Sequence, residues 1–204
     1  MVHSMRKGEI LYFERPGLQN TELVLEAVEE RLKLGDLRVV VVPVTTGRTA
    51  ELFSNGLGGR ADVVTISEEE AASACRRIAA SEEGLLAKLV RDRLEEASMR
   101  AHRRILREAF DLTFLPFCGE DWRLVAEPLY AFGQGAKVAV EVSIAAVEVG
   151  KVKPYSRIVA VGGTGEGVDT AMVVKTSTQR EAFGRRPEKR LSIQEILALP
   201  IEKW

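Results

Sequence analysis

The hexapeptide Thr45-Thr46-Gly47-Arg48-Thr49-Ala50 holds the residue types best suited to gripping an anion. It follows the apolar run of residues 39–44 and precedes an amphipathic stretch, so it joins the carboxyl end of a strand to the start of a helix. Amides in the first turn of a helix lack carbonyl partners and the helix dipole adds positive potential, which together favour phosphate. Gly47 allows close backbone approach, the threonine hydroxyls add donors, and Arg48 can fork onto phosphate oxygens. The same residues also fit a plainer arrangement in which Thr45 or Thr46 caps the helix and Arg48 stays in water.

A second group lies at 162–167, where Gly162, Gly163, Thr164, Gly165, Glu166 and Gly167 make a glycine-rich loop. A strand follows it, not a helix, so a dinucleotide fingerprint would lack its helix-end anion site. The loop suits either a hairpin turn needing positive φ or a lid over a ligand. Glu141 stands in an otherwise apolar segment; in a pocket it could act as acid or base, although an exposed helix position is the expectation for its residue type. Asp169 reads as a turn residue without a role, and Cys118 as a small core residue.

Other chemistries find little support. The two histidines, His3 and His102, fall in a terminal stretch and a charged helix, which disfavours imidazole catalysis and His-rich metal binding. Cys75 and Cys118 form neither a CxxC pair nor a disulfide framework, so no metal is expected and a reducing, cytoplasmic setting is the simplest reading. Lys and Arg total 29 against 30 Asp and Glu, so no basic field draws nucleic acid or an anionic membrane. The one basic segment, 100–107, reads as a solvated helix face. No apolar stretch reaches the length of a membrane span. With 204 residues and 46% hydrophobic content, a single globular domain over 1–204 is expected.

The elements that must position these residues follow from pattern. Residues 9–13 read as a strand and 15–19 as a turn; Asn20 serves as N-cap to a helix whose Leu23, Val24, Ala27, Val28 and Leu32 share a face, with Gly35 as its stop. Residues 39–44 suit a strand covered on both faces, with Pro43 at its carboxyl end. A helix from Arg48 closes at Gly56, Gly58 and Gly59, and 61–66 is a short strand. Ser67 and Glu70 have capping-box spacing, which predicts a helix there and helical structure over the next forty residues. Within it Leu86, Val90, Leu94, Ala97, Ala101 and Ile105 make an apolar stripe able to pack on a second copy. After a connector at 111–119, Asp121 opens a short helix to about Phe132. Residues 138–149 fit a strand and a helix equally well. Strands follow at 157–161 and 169–176, then an exposed polar loop at 178–190 and, from Leu191, a short helix with a last edge segment.

The segments Thr21-Glu22, 26–29, 39–42 and 46–50, and later 150–154, 158–161, 162–165 and 169–171, resemble in order and spacing the C-terminal alpha/beta domain of pyruvate kinase. Closer still, Tyr12-Phe13, Pro16-Gly17, Asn20-Thr21, 141–144 and 159–163 are similar to a stand-alone, mostly archaeal family of that type. The similarity covers about 9–66 and 134–200. It implies a phosphate-binding role for Thr45, Thr46, Gly47, Arg48 and Thr49, closure by Gly162, Gly163, Thr164 and Gly165, and a helix at 136–149. Asn20 and Thr21 would border the crevice. Flavin mononucleotide (FMN) is the cofactor the stand-alone family suggests. Kinase activity is not implied, because the chain has no room for a catalytic barrel of about 250 residues. The family's His-Thr-Gly-like turn is replaced here by Ser67-Glu68-Glu69-Glu70, whose acids would repel a nearby phosphate.

The expected architecture is an α/β/α domain in three layers, with a mainly parallel sheet of about five strands, the last antiparallel, and a helical elaboration at about 67–133. The expected function is binding of a phosphorylated small molecule. The alternatives are an enzyme acting on such a molecule, through Glu141 or a bound flavin, and an oligomeric interaction module.

Overall fold

The computed structural model describes residues 7–44, 46–67, 69–71, 73, 128–183 and 186–203. Among them run β1 (Leu11–Phe13), a 3-10 turn (Leu18–Asn20), α1 (Thr21–Leu32), β2 (Val39–Val44), α2 (Arg48–Leu57), β3 (Asp62–Ser67), α3 (Gln134–Glu148), β4 (Arg157–Gly162), β5 (Thr170–Lys175), a second 3-10 turn (Pro187–Lys189) and β6 (Ser192–Pro200). The six strands form one sheet in the order β1-β6-β5-β4-β2-β3.

β1 pairs parallel with β6, and β2 pairs parallel with both β3 and β4. β5 runs antiparallel to both its neighbours, β4 and β6. The sheet is therefore mainly parallel, with six strands where about five were expected. The reversed strand is β5, the last of the five strands expected from the sequence, and it is antiparallel as expected; the additional strand, β6, runs with the majority. The reason lies in the connections: a short glycine loop can only turn β4 back into β5, and the passage from β5 to β6 reverses direction again.

Side chains alternate along the strands, and two apolar clusters result. Val40 and Val42 of β2, Val159 and Val161 of β4 and Val173 of β5 pack with Val24 and Val28 of α1 and Phe53 and Leu57 of α2. Val41, Ile158, Ala160, Met172 and Val174 face the other way and pack with Ala139, Val140 and Ile144 of α3. The run Val39-Val40-Val41-Val42 is thus explained: both faces of this strand are covered. Each fully buried valine contributes on the order of 1.5–3 kcal/mol. Pro43 is tolerated because β4 pairs only with Val40 and Val41, leaving the carboxyl end of β2 to β3 alone.

Several sequence expectations change. Residues 134–148 are helical, from Gly133 to the stop at Gly150, which decides between the two readings of 138–149 and agrees with the helix the resemblance implies at 136–149. α3 is apolar on almost every side, so its residues match the periods of strand and helix alike. The final segment is a nine-residue strand between β1 and β5, not a short helix with an edge piece; its helix-forming Gln194, Glu195, Leu197 and Ala198 yield to the sheet positions open on either side. The loop after β5 is not wholly exposed: Ser177, Gln179 and Ala182 are buried, and the Gln179 amide donates to Glu148 at the end of α3 (2.8 Å). The Asn20 side chain does not cap α1; its Nδ2 donates to the Arg15 carbonyl (2.8 Å) and braces the preceding turn.

The capping box does form. The Glu70 amide donates to Ser67 Oγ (3.2 Å), and the Ser67 amide donates to Glu70 Oε2 (3.1 Å). The stripe from Leu86 to Ile105, the basic segment 100–107 and the helix expected from Asp121 lie outside the described residues, apart from 128–132.

Candidate functional site

Because β2, β3 and β4 are parallel, their carboxyl ends share one edge of the sheet, and the connections leaving them meet there. A cavity of about 540 Å³ opens at this edge. Its floor is Pro43 and Val44 at the end of β2 with Ile66 and Ser67 at the end of β3. One wall is the start of α2, with Thr46, Gly47 and Thr49; a second is α3, through Gln134, Lys137, Val138, Glu141, Val142 and Ala145. The glycine loop supplies Gly163, Gly165, Glu166 and Gly167.

The α2 wall is built as its sequence requires. Gly47 sits at φ 85°, a left-handed conformation that turns the chain from β2 into the helix, and no side chain caps that helix among the described residues. The first intrahelical bond formed runs from the Glu51 amide to the Gly47 carbonyl (3.0 Å). Phe53 and Leu57, both fully buried, fix the helix against the sheet.

α3 delivers a second helix start to the same space. Gly133 precedes it at φ 102°, no side chain among the described residues caps it, and its first turn carries no acid. It can approach closely because small residues meet at the contact. A Cβ on Gly162 would lie 2.1 Å from the Gly135 carbonyl oxygen, and one on Gly135 would lie 2.2 Å from Asp169 Oδ1. Gly162 therefore belongs to the packing behind the cavity.

Lys137 and Glu141 are one turn apart on α3 and only 4% exposed each, and both line the cavity. Lys137 Nζ lies 2.7 Å from Glu141 Oε1. That oxygen is buried without a conventional hydrogen bond among the described residues. Burial outweighs the attraction of the Lys137 cation and pushes the Glu141 carboxyl up to about 7. The expected exposed position for Glu141 is thus replaced by a deeply buried one. Two signs in the sequence pointed to it: a Lys and a Glu four residues apart, and apolar residues on every other side of that helix.

The glycine loop is held from beneath by Asp169, which is fully buried. Its carboxylate accepts from the Gly17 amide (3.0 Å), the Thr164 amide (3.2 Å) and the Thr170 hydroxyl (2.9 Å). Asp169 thereby ties the turn before α1 to the loop after β4, a positioning role its residue type did not reveal. Thr21 works beside it: its hydroxyl donates to the Leu18 carbonyl (2.7 Å) and accepts from the Val168 amide (3.1 Å). Asn20 and Thr21 are buried in this brace and do not line the cavity. The Thr164 hydroxyl is buried without a partner among the described residues.

Of the sequence-derived site residues, Thr46, Gly47, Thr49, Gly163, Gly165 and Glu141 converge on one space. Arg48 is exposed and outside the lining, and Thr45 lies outside the described residues. Glu70 is partly neutralised: Lys151 Nζ lies 2.6 Å from its Oε1, which with the Ser67 amide holds its carboxyl below the usual range. None of the models of known protein families matches the chain. No described helix is long and apolar enough to cross a membrane.

Proposed function

We propose that the protein binds a phosphorylated small molecule in the cavity at the carboxyl ends of β2, β3 and β4. The observation that carries this reading is the meeting of the uncapped start of α2 with the buried ammonium of Lys137 across one open space. Helix-start amides favour a phosphate, and a buried cation strengthens that preference where water is scarce. Thr46 and Thr49 offer hydroxyls, Gly47 close backbone approach, and Gly163 and Gly165 a cover. A volume of about 540 Å³ accommodates a compound of nucleotide size, so FMN is a candidate ligand.

Native mass spectrometry of the protein as purified, beside Lys137→Met, tests this directly. A phosphate-bearing adduct retained by the wild type and lost from the variant is expected, and FMN would also colour the protein yellow. Equal affinity of both forms for FMN and for sugar phosphates would count against the cradle.

A second reading is favoured by Glu141 alone. A cavity carboxyl raised to about 7 is poised to give or take a proton near neutral pH. An enzyme acting on the anchored compound would use it as acid or base, the phosphate supplying binding energy remote from the reaction. Turnover lost in Glu141→Gln with ligand affinity retained would favour this reading.

A further inference from the structure

Lys137 is the charged donor of the cavity, yet its ammonium is already engaged by the carboxylate of Glu141 at 2.7 Å. Both side chains are about 95% buried, so neither can swing into water to make room. An incoming dianion and an ionised Glu141 would compete for one cation, with two like charges facing each other in a low-dielectric space. The conflict with Glu141 disappears if Glu141 is protonated: it becomes neutral, can donate a hydrogen bond, and no longer competes with the ligand for the Lys137 cation.

We propose that the cavity takes up its anionic group together with one proton, held on Glu141. The proposal rests on the phosphate-cradle reading and specifies how that site works. In balanced form, a dianion and a proton from solvent enter; the ion contact between Lys137 and Glu141 breaks; a carboxylic acid and an ion pair of Lys137 with the dianion result.

The surroundings are compatible. The floor from β2 and β3 offers Pro43, Val44, Ile66 and the Ser67 hydroxyl, none of which titrates near neutrality. The packed face from β4 and β5 is apolar. Glu166 on the glycine loop is the other acid in the lining, and Glu70 beside Ser67 is paired with Lys151 and held low. Glu141, raised by burial, is thus the group suited to carry the proton.

Inorganic sulfate is the probe, because phosphate esters and inorganic phosphate change their own charge at roughly pH 6 to 7 and would mask the effect. Its affinity for the intact protein is measured by titration calorimetry from pH 5.5 to 8.5, in buffers of differing ionisation enthalpy. The wild type should bind with little pH dependence below about 6 and lose about tenfold per pH unit above about 7.5, with about one proton taken up per sulfate at pH 8. Glu141→Gln, uncharged and of the same shape, should bind sulfate with a flat profile and no proton uptake. Sulfate binding by the wild type with a flat profile and no uptake overturns the proton coupling while leaving the cradle standing. No sulfate binding by either protein at any pH overturns both. Buffer-dependent heats from the wild type alone decide the matter if the variant does not fold.

Discussion

A carboxyl that folding makes harder to ionise leaves a signature in stability. In the unfolded chain Glu141 loses its proton near 4.5, in the native protein near 7. Between these values the native state holds more protons than the unfolded one, so this group's contribution is fully present below about 4.5 and is lost as the pH rises through about 7. Urea denaturation at a series of pH values should therefore show the wild type losing stability across that window relative to Glu141→Gln; parallel curves would mean that the carboxyl is not perturbed. Residue by residue, the sequence shows the donors of the proposed cradle more readily than its buried charge. Thr46, Gly47 and Thr49 announce themselves by following a buried strand, a local signal. Lys137 and Asp169 are defined by what surrounds them: one by a helix buried on nearly all sides, the other by donors from the distant turn at Gly17, from the glycine loop at Thr164 and from the adjacent Thr170. Neighbours of that kind exist only once the chain is folded.

At the scale of elements, the proposed cradle is only as well placed as α2. That helix has two fully buried side chains, Phe53 and Leu57, and its remaining residues are partly or wholly exposed. Phe53→Ala should destabilise the protein by about 3–5 kcal/mol, read from the midpoint and slope of urea unfolding. Ligand affinity should fall with it, because the helix start loses its fixed distance from Lys137. A cost below about 1 kcal/mol would show that α2 is held in some other way. β2, α2 and β3 were legible because a valine run, a glycine turn and a glycine stop fall in immediate succession. α3 was not, since an element apolar all round has no polar face to betray its period. β6 was misjudged for the opposite reason: local preference pointed to helix, while its place between β1 and β5 is a decision of the whole sheet.

Across the whole molecule, the end of the sheet away from the cavity is held by charge. Arg31, at the end of α1 and 6% exposed, donates to Asp36 (2.6 and 3.0 Å) and to Glu195 of β6 (2.6 and 2.9 Å). Arg157 of β4 reaches the same two acids at 2.9 and 3.3 Å. The guanidinium of Arg31 holds the Asp36 carboxyl well below the usual carboxylate range. Removing Arg31 strands acids that remain partly in water, so Arg31→Met should cost about 2 kcal/mol, less than a fully buried pair would. Thermal unfolding should show the loss shrinking at high salt, and an unchanged midpoint would mean the network adds nothing. Another long-range closure is the pairing of β1 with β6, Leu11 opposite Ala198 and Phe13 opposite Pro200. During synthesis β1 emerges before the other described strands, and its partner among them, β6, is the last of them to emerge. Until then Ile10, Leu11 and Tyr12, which stay 40%, 36% and 57% exposed even in the finished protein, lack the shelter of that pairing. β1 thus waits for its partner longer than any other described strand does, so a holdase that shelters residues 9–15 until β6 emerges should raise the yield of folded protein.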